Sequence, residues 1–150
     1  MIPIRGVYEV AVKVHNLKRA EAFYREVLGL QFGLRDERRN WVFLRAGDSV
    51  GMVVLQEDRG EWPRQHFAFR VEDSELEGAA ALLRQKGISV TSPVFHQWIP
   101  GRSVYFTDPD GHALELFAAS DLKIREVQGE TELRSEAGCQ RRSSFDPGCD

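Results

Sequence analysis

The feature that most constrains this chain is that its pattern begins twice. Val7-Tyr8-Glu9-Val10-Ala11-Val12-Lys13-Val14 alternates, with Val10, Val12 and Val14 on one face of a strand and Glu9, Ala11 and Lys13 on the other. His66-Phe67-Ala68-Phe69-Arg70-Val71 repeats the alternation at an offset of 57 residues. Each opening strand leads into a helical pattern. Asn16 is placed to cap the first helix, whose apolar residues Leu17, Ala20, Phe23, Tyr24, Val27 and Leu28 recur at helical spacing up to Gly29. Ser74 and Glu77 have the spacing of a capping box for the second, where Leu76, Ala79, Ala80 and Leu83 form one face closed by Gly87. Three short apolar runs follow each helix. They are Leu30–Leu34, Trp41–Leu44 and Val50–Gln56 in the first half, and Ile88–Phe95, Val104–Phe106 and Ala113–Ala118 in the second. The last two flank the turn Asp108-Pro109-Asp110-Gly111.

Two βαβββ modules are therefore predicted, over residues 6–57 and 66–119, with a polar linker at 58–65, all within one α+β domain spanning 1–119. Beyond it, residues 120–150 are rich in Glu, Arg, Ser and Gly and read as a flexible tail. A short helix through Leu122, Ile124 and Val127 would suit the covering of a sheet edge.

Charge and hydropathy exclude several partners. Twenty Lys and Arg against 23 Asp and Glu leave a formal charge of -3, with no basic block able to track phosphates, so nucleic acid is not expected. Ala79–Leu83, the longest apolar run, falls far short of the roughly 20 residues of a membrane span. The first six residues lack the apolar core of a secretory signal, and a cytoplasmic location is expected. Cys139 and Cys149 lie in the polar tail without a neighbouring His, which makes inert thiols the simpler reading.

The candidate chemistry sits on strands. Glu9 and His66 occupy equivalent places near the start of the two opening strands, opposite their core stripes. Glu115 lies between Leu114 and Leu116 and so faces away from both. One imidazole and two carboxylates on rigid strands make a candidate facial triad for a divalent cation with positions left for water or substrate. This oxygen-rich set favours Mn, Zn, Ni or Mg over Fe. Each residue also has a plainer reading: a solvated Glu on a strand, or a His bonded to a backbone carbonyl. Trp41, Phe43 and Tyr105 are candidate apolar walls around a small ligand, though aromatic strand residues are more often core. Trp98 lies in a Pro- and Gly-containing loop, His96 to Gly101, that either closes over a ligand or simply connects two strands. His15 and His112 are read as solvated or turn-stabilising.

Val12-Lys13-Val14-His15-Asn16-Leu17, Ala22-Phe23-Tyr24-Arg25-Glu26-Val27-Leu28-Gly29-Leu30, His66-Phe67-Ala68-Phe69 and the run Tyr105 to Leu116 together resemble the vicinal oxygen chelate superfamily. That superfamily includes glyoxalase I, extradiol dioxygenases, and fosfomycin and bleomycin resistance proteins. The resemblance covers nearly all of residues 6–119 and is specific for fold more than for reaction. It implies that the two modules curve into an open cup, commonly assembled across a homodimer so that module one of one chain faces module two of the other. Glu9, His66 and Glu115 match the family's metal-ligand positions. The chain departs from the commonest pattern in carrying Glu9 where a His is frequent and Val54 where glyoxalase I supplies a carboxylate.

Module two resembles the fosfomycin resistance proteins through Gly101-Arg102-Ser103-Val104-Tyr105-Phe106 and the basic segment after Glu115. By that resemblance Tyr105 is a substrate contact, Arg125 corresponds to an anion-holding arginine, and Ala11 replaces a substrate-contacting threonine. The activity implied is that of a metal-dependent small-molecule enzyme, with a cation polarising a substrate oxygen in lyase, isomerase or epoxide-opening transferase chemistry and Glu115 and Tyr105 as catalytic candidates. Two alternatives stand beside it, a metal-free drug-sequestering protein and an extradiol-type dioxygenase.

Overall fold

The computed structural model describes residues 1–48 and 51–119. Eight strands form two four-stranded sheets of the same topology. The first contains β1 (Glu9–Val14), β2 (Gln31–Asp36), β3 (Trp41–Arg45) and β4 (Met52–Glu57), in the order β1-β4-β3-β2. The second contains β5 (His66–Arg70), β6 (Val94–His96), β7 (Gly101–Thr107) and β8 (Ala113–Ala119), in the order β5-β8-β7-β6. The opening strand of each unit pairs in parallel with the last, and the remaining pairs are antiparallel. Helix α1 (Leu17–Ala22) packs on β3 and β4, and α2 (Leu76–Gln85) packs on β7 and β8.

Alternation decides which face of each sheet is dry. Val12 and Val14 are fully buried with Val42, Leu44, Val53 and Leu55 in the first unit, and Val104, Phe106, Leu114 and Leu116 line the second. These residues and the inward faces of the helices form one apolar cluster, where each fully buried Leu or Val contributes about 1.5–3 kcal/mol by leaving water. Both helices are followed by a glycine at positive φ, Gly29 at 80° and Gly87 at 81°, a backbone state that would strain a side chain at either helix exit.

Local contacts depart from the sequence expectation in three places. The first helix is α-helical only to Ala22, and Phe23–Val27 continues as a π-helical turn that ends at Leu28, with the amide of Leu28 bonded to the Phe23 carbonyl. The expected cap does form there, Asn16 accepting from the Arg19 amide at 2.9 Å. No capping box forms on α2, because Glu77 is bonded by the Arg102 guanidinium and Glu75 takes the cap position without a side-chain bond. The expected strand Ile88–Phe95 shrinks to Val94–His96, since only those residues pair with β7 while Thr91 is held by single bonds to Tyr105. The linker 58–65 carries no regular structure.

A polar seam helps lock the units. The buried Tyr24 hydroxyl donates to Asp108 Oδ2 at 2.9 Å, and the Asp110 carboxylate accepts from the His15 amide and from Arg19. Burial first, then the Asp108 carboxylate, push the Tyr24 phenol far above its ordinary pKa. His112 is completely buried in this seam. Its Nδ1 accepts from the Gln65 amide at 2.9 Å, so Nε2 carries the hydrogen and donates to the Lys13 carbonyl at 2.7 Å. The Trp62 ring stacks between His15 and His112. His112 is thus structural, as its place beside the turn suggests, while His15 is exposed and paired with Asp110.

Candidate functional site

The strand registers define one polar face on the second sheet. Ala68 is paired with Glu115 and Glu115 with Tyr105, and Arg70 with Phe117 and Phe117 with Ser103. Paired residues point to the same side, so His66, Ser103, Tyr105, Glu115 and Phe117 share the face opposite the core. His96, paired with Gly101, extends that face at the β6 edge. Gly101 is needed at this edge, because a Cβ there would stand 2.6 Å from the Phe117 ring and 2.7 Å from the Ala118 carbonyl.

Glu115 is the centre of the cluster. Its side chain is 10% exposed, yet both oxygens are engaged: Oε2 lies 3.1 Å from His66 Nε2, and Oε1 accepts from the Ser103 hydroxyl. A buried carboxylate needs such partners to avoid the cost of an uncompensated charge. Ser103 in turn lies 2.8 Å from His96 Nε2, and Tyr105 OH lies 3.2 Å from the same nitrogen. His66 is half exposed, which leaves its ring free to reach outward from the sheet.

The donor pair fits a divalent cation. An imidazole nitrogen and a carboxylate oxygen, each bonded to a metal at about 2.1 Å, stand about 3 Å apart when their bonds are at right angles; the observed separation is 3.1 Å. Two donors leave a site incomplete, and among the described residues no three His, Cys, Asp or Glu side chains are arranged to hold a metal ion. Glu9 is exposed on β1 of the first sheet, in register with Met52. One chain therefore brings together His66 and Glu115 and leaves Glu9 elsewhere.

The other candidates separate in the same way. Trp41 and Phe43 are half-buried on β3, with ring centroids 6.5 Å apart, and by register they share the face of Glu9 and Val54. Trp98 is 80% exposed at the rim beside His96. Arg125 lies outside the described residues. A groove of about 780 Å³ runs between the Val27–Leu30 segment and Ala68, Phe69, Val71 and Leu82, and it includes none of these candidates.

His96 is the member of the cluster that sequence reasoning left as part of a connecting loop. Its side chain is only 13% exposed, boxed by Trp98, Tyr105 and Phe117. The signal that identifies it is hairpin register: a four-residue turn after His96 pairs it with Gly101 and sets it beside Ser103.

Comparison with known proteins agrees with this fold. Residues 6–116 match the model of the Glyoxalase/Bleomycin resistance protein/Dioxygenase superfamily. Glutathione transferase FosA of Serratia marcescens is 30% identical over 122 residues, covering 78% of this chain and 83% of its own. Metallothiol transferase FosB of Staphylococcus epidermidis is 26% identical over 124 residues, covering 78% of this chain and 86% of its own. Among solved structures, an integron cassette protein from the mobile metagenome of the Halifax Harbour sewage outfall is 51% identical with a TM-score of 0.74, covering 77% of this chain and 99% of that one.

Proposed function

This chain belongs to the glyoxalase/bleomycin resistance protein/dioxygenase superfamily, and on that premise we propose that it is a metal-dependent small-molecule enzyme whose site is shared between two copies. His66 and Glu115 hold a divalent cation together with Glu9 of the partner subunit. The observation that carries this reading is the 3.1 Å approach of His66 Nε2 to Glu115 Oε2, made by a carboxylate whose other oxygen is already fixed by Ser103. A ligand carboxylate held from behind keeps its orientation when the imidazole turns toward a metal. The two relatives, a glutathione transferase and a metallothiol transferase, support group-transfer chemistry on a small molecule.

Bound there, the cation would act as a Lewis acid toward a substrate oxygen. The rest falls to the chain. His66 presents an imidazole nitrogen, Glu115 a carboxylate, and Tyr105 a hydroxyl on the neighbouring strand. Trp41, Phe43 and Val54 offer an apolar wall from the first unit of the opposing copy. With one His and two carboxylates as donors, Mn, Zn, Ni and Mg are the metals of choice, ahead of Fe.

The test is metal stoichiometry followed by subunit mixing. Wild-type protein is expected to retain about one divalent cation per chain, and Glu9→Gln and Glu115→Gln to lose it. Mixed and re-annealed, the two variants form hybrid dimers with one intact site and one doubly altered site, recovering about a quarter of the wild-type sites. Retention of the cation by Glu9→Gln would place Glu9 outside the site, and failure of the mixture to recover any binding would overturn the sharing of the site between copies. An absence of metal binding in wild-type protein would overturn the enzyme reading in favour of metal-free ligand sequestration.

A further inference from the structure

We propose that His96 is a positioning residue for Tyr105, forcing the phenolic hydrogen outward so that Tyr105 donates to an acceptor oxygen of the substrate. The inference rests on the site reading above and follows from counting hydrogens. Ser103 has one hydrogen, and the Glu115 carboxylate, which has only acceptors, takes it. Ser103 Oγ also lies 2.8 Å from His96 Nε2. With its own hydrogen spent, Ser103 can only accept there, so the hydrogen between them belongs to His96 Nε2. The opposite tautomer would set two lone pairs against each other at that distance.

The consequence falls on Tyr105. Its hydroxyl lies 3.2 Å from the same Nε2, the hydrogen-bond contact of the phenol among the described residues. A protonated Nε2 has no lone pair to offer, so Tyr105 has no acceptor at His96 and keeps its donor for the cup. The Trp98, Tyr105 and Phe117 rings around His96 prevent the imidazole from turning away, and its side chain is 13% exposed. The chain Glu115–Ser103–His96 thereby passes a directional constraint from the carboxylate to the phenol over three side chains. The substrate atom facing Tyr105 is accordingly an oxygen with a free lone pair, such as that of an oxyanion, and a group offering only N–H donors is rejected.

The test reads the tautomer directly. Long-range proton–nitrogen correlation spectra of the full chain with isotope-labelled histidine, recorded metal-free at mildly alkaline pH, are expected to show the His96 hydrogen on Nε2. Ser103→Ala should move it to Nδ1, because Tyr105 then donates to the vacated nitrogen. A wild-type His96 with its hydrogen on Nδ1, or a tautomer indifferent to Ser103→Ala, would overturn the proposal. A second arm uses zinc-loaded protein with inorganic phosphate as the oxyanion probe. Tyr105→Phe and Ser103→Ala, which lets Tyr105 turn its hydrogen inward to His96, should each weaken phosphate binding by about 10-fold, and the double variant no more than either alone. His96→Gln, whose amide donates to Ser103, should retain wild-type affinity, while additive losses would overturn the coupling. Zinc uptake is measured first on every protein. Loss of uptake in wild-type protein refutes the metal site without touching the tautomer result, whereas uptake with the wrong tautomer refutes only the role of His96.

Discussion

The two sheets share topology and nearly share register, yet one carries a polar site and the other an apolar wall. In both, the first residue of the opening strand is polar, Glu9 in one and His66 in the other. Two residues beyond the partner of that position, the second sheet has Glu115 and the first has Val54. Tyr105 and Ser103, across the next ladder, correspond to Phe43 and Trp41. Glu115, Tyr105 and Ser103 thus each have an aliphatic or aromatic counterpart, while His66 is matched by Glu9. A duplicated unit tolerates a buried carboxylate only where neighbouring strands supply its donors, and the first unit has none at the matching positions. In the paired assembly proposed above, the two faces would be complementary, one to bind and polarise and the other to enclose.

That division can be broken from either side. The largest effect is expected from Val54→Glu, which copies Glu115 into the first unit without Ser103 or a histidine. Val54 is 1% exposed, and an unpaired carboxylate there should cost about 3 kcal/mol in denaturant unfolding. Next is Glu115→Gln, which preserves volume and should weaken cation binding by about 100-fold in calorimetric titration with little change in melting of the metal-free protein. If both substitutions behaved alike, the contrast between the sheets would be one of sequence and not of environment.

The seam between the units gives a smaller effect. Tyr24→Phe removes the hydroxyl that donates to Asp108 Oδ2 but leaves the Asp110 and His112 amides on Oδ1. A loss of about 1.5 kcal/mol in unfolding free energy is expected, with both sheets unfolding together as before. The smallest effect concerns acid. The Lys13 ammonium and the Gly60 amide hold the exposed Asp58 carboxyl below its ordinary value. Because the folded value is the lower one, the stabilisation is present above the unfolded carboxyl range and fades as pH falls through the lowered value. Asp58→Asn should therefore flatten the acid limb of the stability profile slightly, and added salt should shrink the difference. Glu77, lowered by Arg102, makes the equivalent contribution in the second unit, so the two variants test whether surface pairs serve both halves equally.

How far the sequence reaches can be judged on particular residues. Alternation is a local property, so the burial of Val12 and Val14 and the exposure of Glu9, Ala11 and Lys13 are legible without any partner strand. The same holds for Glu115 between two buried leucines and for the glycine exits of both helices. Capping was half legible: Asn16 caps as its position suggests, whereas the box at Ser74 and Glu77 loses Glu77 to an arginine 25 residues away. His96 looked like part of a loop because nothing within a few residues of it reveals Ser103 or Glu115.

The sequence by itself determined the doubled unit and the direction of each strand's side chains. Tertiary structure alone decided that Glu9 stands apart from His66 and Glu115 within one chain, that His112 locks the seam, and that His96 joins the carboxylate cluster. The physical reason is range. Strand and helix periodicities are set by neighbours along the chain, whereas the convergence of donors depends on which strands lie side by side and in what register, a choice made by the whole core at once.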